Sequence, residues 1–205
     1  YIHNFVPGIT KNATATMARL NTIRSKMPYA YRFVRRIGTI HMKRTHYGQI
    51  VPIEDALEII ARADSITRVA CVCRSITMGD NNARYCLLLS IDPIGIVDNW
   101  TALSKSLETL TIAQAQQALL DYDKNGLVHS VWTFKSPFIG ALCNCDRDCL
   151  AYRFQVSNDL LDVMFKGEYL AEINKEVCIG CRICLQYCQF GAIEYSVRLQ
   201  KCFIN

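Results

Sequence analysis

Four cysteines close to the end of the sequence have the spacing of metal ligands rather than of packing residues. The run C-x2-C-x2-C-x3-C consists of Cys178, Cys181, Cys184 and Cys188. This spacing is typical of a loop whose thiolates hold an iron–sulfur cluster, with the fourth thiolate available to a second cluster. A structural zinc site or a disulfide pair are the alternatives, but zinc sites usually combine two separated pairs of ligands. The run therefore predicts a [4Fe-4S] cluster and one-electron chemistry.

The residues after Cys188 make this motif more specific. They read Q-F-G-A-I-E-Y, which resembles the segment C-P-x-G-A-I-E of bacterial ferredoxins that carry two clusters. The resemblance covers only the C-terminal end of the chain. It implies that Phe190 and Ile193 pack around the cluster and that Gly191 lets the backbone close over it. Gln189 stands where ferredoxins carry proline, which fixes φ and lacks an N–H, so this difference concerns the reduction potential more than the ligands.

The stretch that follows alternates in the way that a ferredoxin hairpin does after its first motif. In two-cluster ferredoxins a second C-x2-C-x2-C-x3-C run follows this hairpin, whereas the given sequence stops at Asn205. We therefore expect one half of a ferredoxin-like domain here, with a second motif beyond Asn205. Cys202, on the hairpin, has three interpretations: a packed thiol, a substitute fourth ligand for the first cluster, or the start of a divergent second motif.

Six further cysteines fall into three tight groups in the middle of the chain. They are Cys71 and Cys73, then Cys86, then Cys143, Cys145 and Cys149. In a C-x-C run on an extended strand both side chains point to the same face, so two thiolates can bind one cluster. The arginines that flank the first group, Arg68, Arg74 and Arg84, favour the thiolate form.

Each of these six cysteines could instead be a buried core thiol, and a C-x-C run could act as a redox-active dithiol. Six thiols in three groups favour a metal site, for which zinc, copper(I) or an iron–sulfur cluster are the metals that thiolates select. We expect a [4Fe-4S]-type cluster on Cys71, Cys73, Cys86 and one or more of Cys143, Cys145 and Cys149. Six candidates also allow a larger cluster.

Hydrophobic periodicity predicts helices and strands that alternate around these groups. Helices are predicted over 53–63, over 111–125 and, as a short amphipathic segment, over 158–169. The second should begin with a capping box between Thr111 and Gln114. Strands are predicted over 65–73, 84–91, 127–134 and 138–145, each C-x-C run ending a strand. The expected fold class is α+β, with an α/β-like Cys-rich domain before a ferredoxin-like domain.

We predict three segments: a basic N-terminal arm over 1–52, a Cys-rich metal-binding domain over 53–157, and a linker helix with a [4Fe-4S] ferredoxin-type domain over 158–205. This arrangement is similar to iron–sulfur proteins of anaerobes in which a Cys-rich domain precedes a C-terminal ferredoxin domain. That resemblance implies an electron-carrying subunit and assigns no substrate residues.

The charge of the chain is distributed unevenly. Residues 1–53 contain nine basic and no acidic residues, so the remaining 14 basic and 18 acidic residues leave residues 54–205 with a net charge of −4. Apolar residues at helical spacing interleave with these basic residues over 11–44. Such an arm suits docking to an acidic subunit, peripheral contact with an anionic membrane, phosphate contacts with nucleic acid, or an ordinary solvated face. We expect subunit docking and find no clear nucleic-acid signature.

Composition narrows the function further. With 51% hydrophobic and 20% charged residues in 205 positions, the chain should form globular domains with real cores. Eleven cysteines without a recognisable signal peptide or membrane span indicate metal or redox use in a reducing cytoplasm rather than a disulfide scaffold.

The sequence contains no phosphate-binding glycine loop, nucleophile elbow or paired-carboxylate motif. We therefore expect an electron-transfer subunit that works with oxidoreductase subunits or with a ferredoxin-type donor or acceptor. Two other functions stay open: a redox enzyme with a catalytic cluster at the Cys71–Cys149 site, and a regulatory iron–sulfur protein that binds nucleic acid through the basic arm.

Overall fold

In the computed structural model the chain folds into two compact units, Tyr1–Lys166 and Gly167–Asn205. The structure describes residue 8, residues 11–92 and residues 107–205. Both units contain helices and strands, so the general α+β class is confirmed. The units divide the chain after Lys166, whereas the sequence suggested divisions after residues 52 and 157. Of the predicted arm, residues 1–7, 9 and 10 lie outside the described residues.

A mixed sheet forms the centre of the first unit. In chain order its strands are β1 (Gly48–Ile50), β2 (Ile66–Val69), β3 (Cys86–Leu89), β4 (Glu108–Thr109), β5 (Val128–Trp132), β6 (Ala141–Cys145) and β7 (Met164–Phe165). Their spatial order is β4-β2-β3-β6-β5-β1-β7, and every neighbouring pair is antiparallel except β1 with β7. Helices and strands alternate as predicted, but the sheet is not the parallel sheet of an α/β fold.

Helices cover this sheet. They are α1 (Ala13–Lys26), α2 (Pro28–Thr45), α3 (Ile53–Ala61), α4 (Val72–Met78), α5 (Ile112–Lys124) and α6 (Leu150–Tyr152), the last continuing as a π-helical turn over Arg153–Ser157. α3 and α5 pack on one face, where Ile60 and Leu119 are fully buried with Leu87 and Leu142. Since side chains alternate along a strand, the neighbours of those two leucines face the other side of the sheet.

The predicted start of α5 is confirmed. The Thr111 hydroxyl accepts the Gln114 N–H, and the Gln114 side chain in turn accepts the Thr111 N–H, so both halves of a capping box are present. This cap fixes the start of α5, whose apolar side packs on one face of the sheet. It therefore helps to hold β3, β5 and β6 in place.

The basic segment is a helical hairpin that belongs to the first unit. α1 and α2 enclose Ala13 and Tyr31, which pack against Phe154 and Leu160. The Tyr31 hydroxyl donates to the Leu160 carbonyl at 2.6 Å. The Arg35 guanidinium lies 2.9 Å and 3.0 Å from the carboxylates of Asp159 and Asp162. The segment is therefore a helical hairpin that shares a small core with residues from later in the chain.

The predicted helix over 158–169 is wrong. Residues 158–163 form no helix and lead into β7, which pairs with β1. The Gln155 side chain stabilises this path, because its carbonyl oxygen accepts the N–H groups of Val163 and Met164 at 2.9 Å and 2.8 Å. The Leu160 carbonyl is likewise engaged by Tyr31 rather than by a helical partner. Tertiary hydrogen bonds thus replace those that a helix would have supplied.

The second unit contains a short helix, α7 (Ile183–Tyr187), and the antiparallel strands β8 (Ile193–Ser196) and β9 (Lys201–Ile204). The alternating pattern after the motif therefore forms the predicted hairpin, with Tyr195 opposite Cys202. In the portion of the chain that the structure describes, neither unit has a helix with the length and hydropathy needed to cross a membrane.

Candidate iron–sulfur sites

The four cysteines of the C-terminal motif lie on a tight loop and on the helix that follows it. Gly180 has a φ of +70°, and a Cβ placed there would lie 2.2 Å from the Gln200 carbonyl oxygen. The loop therefore passes so close to the hairpin turn that only glycine fits. α7 carries Cys184, and Cys188 follows directly at the C-terminal end of that helix.

Backbone N–H groups point at the sulfurs of this loop. The N–H of Cys202 lies 3.5 Å from the Cys178 Sγ, and the N–H of Ala192 lies 3.3 Å from the Cys188 Sγ. Hydrogen bonds from Cys202 and Gly180 lower the pKa of Cys178. Burial raises the pKa of Cys188, but the N–H groups that follow it outweigh burial and the net shift is downward. Both thiols are thus prepared for the thiolate form that binds iron.

An apolar cavity of about 380 Å³ adjoins the motif. Its lining includes Cys184, Cys188, Phe190 and Ile193, so the two residues that the resemblance assigned to cluster packing lie beside two of the cysteines. Cys181 is exposed, whereas the other three are partly buried. Thiolates with N–H donors, a glycine at the point of closest approach and an apolar lining are a donor set and environment that fit a [4Fe-4S] cluster.

Cys202 is buried against the same motif. Its N–H contacts the Cys178 sulfur, and its thiol lies close enough to Cys184 to respond to it electrostatically. Burial raises the pKa of Cys202 to about 11, and Cys184 acts in the same direction. These contacts do not favour one of the three interpretations of Cys202, namely that it starts a second motif.

In the first unit, three of the six remaining cysteines share one face of the sheet. Cys86 on β3 lies directly opposite Cys143 on β6, and directly opposed residues of antiparallel strands have their side chains on the same face. Cys145 follows two residues later on β6 and therefore points to that face as well. This face is opposite to the one that α3 and α5 cover, as Leu87 and Leu142 occupy the alternate positions.

The other three cysteines reach this face from the ends of elements. Cys71 follows β2 and is the residue before α4, whereas Cys73 lies within α4. The prediction that strand structure continues to Cys73 is wrong, because the chain turns into a helix once the Ser75 N–H bonds the Cys71 carbonyl at 3.0 Å. Cys149 precedes α6 and is buried.

Contacts between sulfurs join these residues into one cluster, which we call the six-cysteine site. The sulfurs of Cys71 and Cys86 lie 3.5 Å apart. Cys86 and Cys143, Cys143 and Cys145, and Cys145 and Cys149 lie close enough for each thiol to shift the pKa of its neighbour. Cys73 lies close enough to Cys145 and Cys71 for their charges to raise its pKa. All eleven cysteines of the chain are free thiols.

A buried arginine supplies positive charge to the six-cysteine site. The Arg74 side chain is only 7% exposed and pairs with Asp146 at 2.7 Å. Its guanidinium lies 3.6 Å from the Cys71 Sγ and 4.5 Å from the centre of the Tyr85 ring. Burial lowers the pKa of Arg74, but attraction to Cys149 and the hydrogen bond with Asp146 outweigh it and raise the pKa above its ordinary value. Arg74 therefore stays charged next to the thiols.

The two other arginines that flank the first C-x-C run do not have this role. The guanidinium of Arg68 lies 2.6 Å from Glu108, and that of Arg84 lies 3.7 Å from the same carboxylate. They form an ion-pair group with β4. Of the three arginines that the sequence suggested, Arg74 is the one whose contacts with the cysteines the structure records.

The six thiols are not equivalent. A hydrogen bond from Cys86 lowers the pKa of Cys71, and hydrogen bonds from Cys143 and Cys149 lower that of Cys145. Burial raises the pKa of Cys73 to about 12. Thiol partners raise the pKa of Cys86, Cys143 and Cys149. The thiols thus differ in how readily they lose a proton, and a metal must displace the thiol protons when it binds.

Sequence reasoning missed the polar residues that hold this site together. Asn144 is fully buried. Its amide oxygen accepts a hydrogen bond from His129 Nδ1 at 2.6 Å, and its amide nitrogen donates to the Tyr85 carbonyl at 2.6 Å. The Tyr85 N–H in turn donates to the Cys71 Sγ at 3.0 Å. Asn144 and Asp146 alternate with the cysteines in the run C-N-C-D-R-D-C. That alternation was the available signal, since such polar residues on a buried strand need partners.

Within residues 11–92 and 107–205, no three Cys, His, Asp or Glu side chains surround one point in the way that a single metal ion requires. This finding includes the C-terminal motif. A cubane cluster differs from a single ion, because each thiolate binds its own iron and the sulfurs stand apart around the cluster.

Comparison with known proteins agrees with the geometry of the second unit. Residues 171–194 match the family described as 4Fe-4S binding domain. This range contains the four cysteines of the motif and ends before Cys202. No curated protein and no solved structure matched the chain significantly. The chain is therefore an iron–sulfur protein whose C-terminal unit binds a [4Fe-4S] cluster and serves electron transfer.

Proposed function

We propose that the chain is an electron-transfer subunit with two redox centres, the [4Fe-4S] cluster of the second unit and an iron–sulfur cluster at the six-cysteine site. The second centre is proposed because six free thiols converge on one sheet face beside a buried arginine. When bound, an iron–sulfur cluster takes up and releases one electron at a time. The chain would accept an electron from a reduced donor protein and pass it to an oxidised acceptor, with no bond made.

The composition of the six-cysteine site favours iron–sulfur over zinc. A structural zinc ion takes four ligands and usually draws them from two short loops. The six-cysteine site instead offers six sulfurs linked through neighbouring contacts across strands β3 and β6 and the ends of β2, α4 and α6. Arg74 would offset part of the negative charge that several thiolates bring into a buried place, because its guanidinium lies 3.6 Å from the Cys71 Sγ.

The surroundings of the thiols also count against a redox dithiol as their main use. A reactive cysteine needs access to solvent and a low pKa. Cys71 and Cys145, whose pKa values are lowered, are both buried. Buried cysteines with lowered pKa values are better suited to hold a cofactor than to attack a partner's disulfide.

The basic hairpin provides a surface for a partner, which we propose to be an acidic redox protein. The inner side of α2 is fixed by Tyr31 and Arg35, so its outer side is oriented outward. Four apolar side chains follow that outer side: Tyr29 at 85% exposure, Phe33 at 68%, Ile37 at 52% and Ile40 at 44%. Exposed basic residues surround them, namely Arg32, Arg36, Lys43 and Arg44.

Large exposed apolar groups rimmed by polar residues mark interaction sites, and aromatic residues with arginine are the side chains enriched at protein interfaces. Because this part of the chain has no acidic residue up to position 53, charge complementarity selects an acidic partner and speeds its approach. An acidic ferredoxin-type carrier has that chemistry. An anionic membrane surface is the competing occupant, and binding to vesicles distinguishes it.

The deciding experiment is the content of iron and acid-labile sulfide per chain in protein purified without oxygen, with EPR of the reduced sample. About eight irons, or more, are expected if both sites are loaded, whereas about four, with one EPR signal, would contradict the second centre. Zinc found in place of the additional iron would mean a structural metal site. Substrate turnover at the first unit without a partner would favour the catalytic-cluster alternative instead.

A further inference from the structure

We infer that Cys202 is a positioning residue for the C-terminal cluster, next to two of its ligand cysteines. Its backbone N–H donates to the Cys178 Sγ at 3.5 Å. Its buried thiol lies close enough to Cys184 and Cys178 for both of these ligands to raise its pKa. The inference concerns the [4Fe-4S] cluster of the second unit and does not depend on the six-cysteine site.

The hairpin fixes the place of Cys202. Cys202 lies on β9 directly opposite Tyr195 on β8, and its side chain is only 2% exposed. On the side of the motif, Gly180 approaches Gln200 so closely that a Cβ would clash with the Gln200 carbonyl oxygen. The ligand loop is therefore in van der Waals contact with the hairpin just before Cys202, and the buried Cys202 side chain has little room to turn elsewhere.

The residues around the motif distinguish Cys202 from the other cysteines of this unit. Cys188 has the Ala192 N–H as a donor and lines the apolar cavity. Cys202 is absent from that lining and lies outside residues 171–194, which match the 4Fe-4S binding domain. It is distant from the motif in sequence but lies next to two of its cysteines in space. A thiol is a weak hydrogen-bond donor. Next to a ligand sulfur, even a weak donor stabilises the negative charge on that sulfur.

Hydrogen bonds to ligand sulfurs stabilise the more negative, reduced cluster and so raise its reduction potential. The N–H part of this effect belongs to the backbone and is present with any residue at position 202. The S–H part belongs to cysteine alone. Replacing the side chain therefore isolates the thiol contribution, while β9 keeps the N–H in place.

The test compares the full-length protein with Cys202→Val, Cys202→Ala and Cys202→Ser. Valine is close to cysteine in size and suits a strand, so it removes the donor with little change in packing, and serine replaces it with an O–H donor. The readouts are iron per chain and the midpoint potential of the EPR signal that Cys181→Ser abolishes. This signal identifies the cluster of the second unit whether or not a second cluster is present.

We expect full iron content in all three variants, a more negative midpoint potential for valine and alanine, and a return toward the wild-type value for serine. An unchanged midpoint potential in both Cys202→Val and Cys202→Ala would overturn the inference. Loss of iron from that cluster in both variants would overturn it as well, because Cys202 would then be a ligand. Neither result would alter the iron count expected at the six-cysteine site.

Discussion

Cys86 and Cys143 stand directly opposite each other on β3 and β6, close enough for each thiol to shift the pKa of the other. They are separated by 57 positions in sequence, yet the register of two antiparallel strands makes them the closest kind of cross-strand neighbours. This pair lies at the middle of the contacts that run from Cys71 to Cys149. The sheet itself, rather than a loop, therefore provides the base of the six-cysteine site.

Serine at either of these positions should reduce the iron of the first unit alone. We expect Cys143→Ser and Cys86→Ser to lower the iron content by about four per chain, because a serine hydroxyl is a poor replacement for a thiolate ligand. Cys181→Ser should remove the iron of the second unit and leave that of the first. Iron analysis with EPR measures both. If Cys143→Ser and Cys86→Ser both keep the full iron content, the six-cysteine site is not a cluster site.

Arg74 should be required both for stability and for metal at the six-cysteine site. Replacing it by methionine leaves Asp146 without its partner in a largely buried place, at a cost of about 2–3 kcal/mol in the free energy of unfolding. The same change removes the positive charge next to Cys71, so iron at this site should fall as well. Denaturant unfolding without oxygen and iron analysis check the two effects.

Arg62→Met is the matched control for this substitution. Arg62 pairs with Glu58 on α3, but the two side chains are 77% and 62% exposed, and exposed ion pairs contribute less than about 1 kcal/mol. We expect it to change neither iron content nor stability by more than that. An Arg74→Met protein that behaves like Arg62→Met would refute the role given to the buried guanidinium.

Two glycines of the second unit allow the effect of a steric clash to be distinguished from the effect of backbone strain. Gly180 and Gly191 have nearly the same φ, +70° and +69°, but only Gly180 has an atom in the place of a Cβ. Alanine at either position pays roughly 1–2 kcal/mol for the left-handed conformation. Gly180→Ala must also push the Gln200 carbonyl away, which displaces the start of β9 and the ligand loop.

We therefore expect Gly180→Ala to lose the cluster of the second unit and Gly191→Ala to retain it with lower stability. Visible absorbance and iron content after anaerobic purification distinguish them. Equal loss of iron in both proteins would mean that backbone strain alone accounts for the effect, and that the contact with Gln200 is unimportant.

How far the sequence could predict these sites depends on the range of the interactions. The motif from Cys178 to Cys188 is local, so its spacing alone was sufficient to predict a cluster, and the match over residues 171–194 agrees with it. The capping box at Thr111 is local as well and was predicted correctly. The grouping of Cys71, Cys86 and Cys143 depends on the register of strands that are distant in sequence, and only the number of cysteines indicated it.

The predictions that were wrong concern segments whose conformation is set by distant partners. Residues 158–163 have an amphipathic pattern, but Tyr31 and Gln155 take the backbone groups that a helix would need. Cys73 reads as the end of a strand, yet α4 begins at Val72 and places it on a helix. The packing of the basic segment against Phe154 and Leu160 is a contact of the same long-range kind. No local pattern could have indicated these contacts.

The outer side of α2 should govern association with an acidic carrier. We expect Phe33→Ser with Ile37→Ser to slow electron uptake from a reduced, acidic two-cluster ferredoxin by about tenfold or more at low salt, because apolar anchors dominate interface energy. Stopped-flow absorbance measures the rate. Val197→Ser, at an 80% exposed position of the second unit, serves as the control. Binding of the wild-type protein to phosphatidylglycerol vesicles, with no salt-dependent reaction with ferredoxin, would assign this surface to a membrane instead.

His46 should make the first unit less stable at mildly acidic pH. Its imidazole packs edge-on against Trp132 and Phe134, with ring centres 5.0 Å and 4.9 Å away. Burial lowers the pKa of His46 to about 4 from an ordinary value of 6.5. Between these two values the unfolded chain binds a proton that the folded chain does not, so the free energy of unfolding falls as the pH falls.

Above pH 6.5 the imidazole is neutral in both states, and its contribution to stability is fully present. Because one pKa unit corresponds to about 1.4 kcal/mol, the loss on acidification through this window is at most about 3.5 kcal/mol. Urea unfolding at pH 7 and pH 5 should therefore show a steeper loss for the wild type than for His46→Gln. His41→Gln, on the exposed part of α2, should keep the wild-type slope, and any acid lability of the clusters affects all three proteins equally. A His46→Gln protein with an unchanged slope would mean that protonation elsewhere sets the acid limit of the fold.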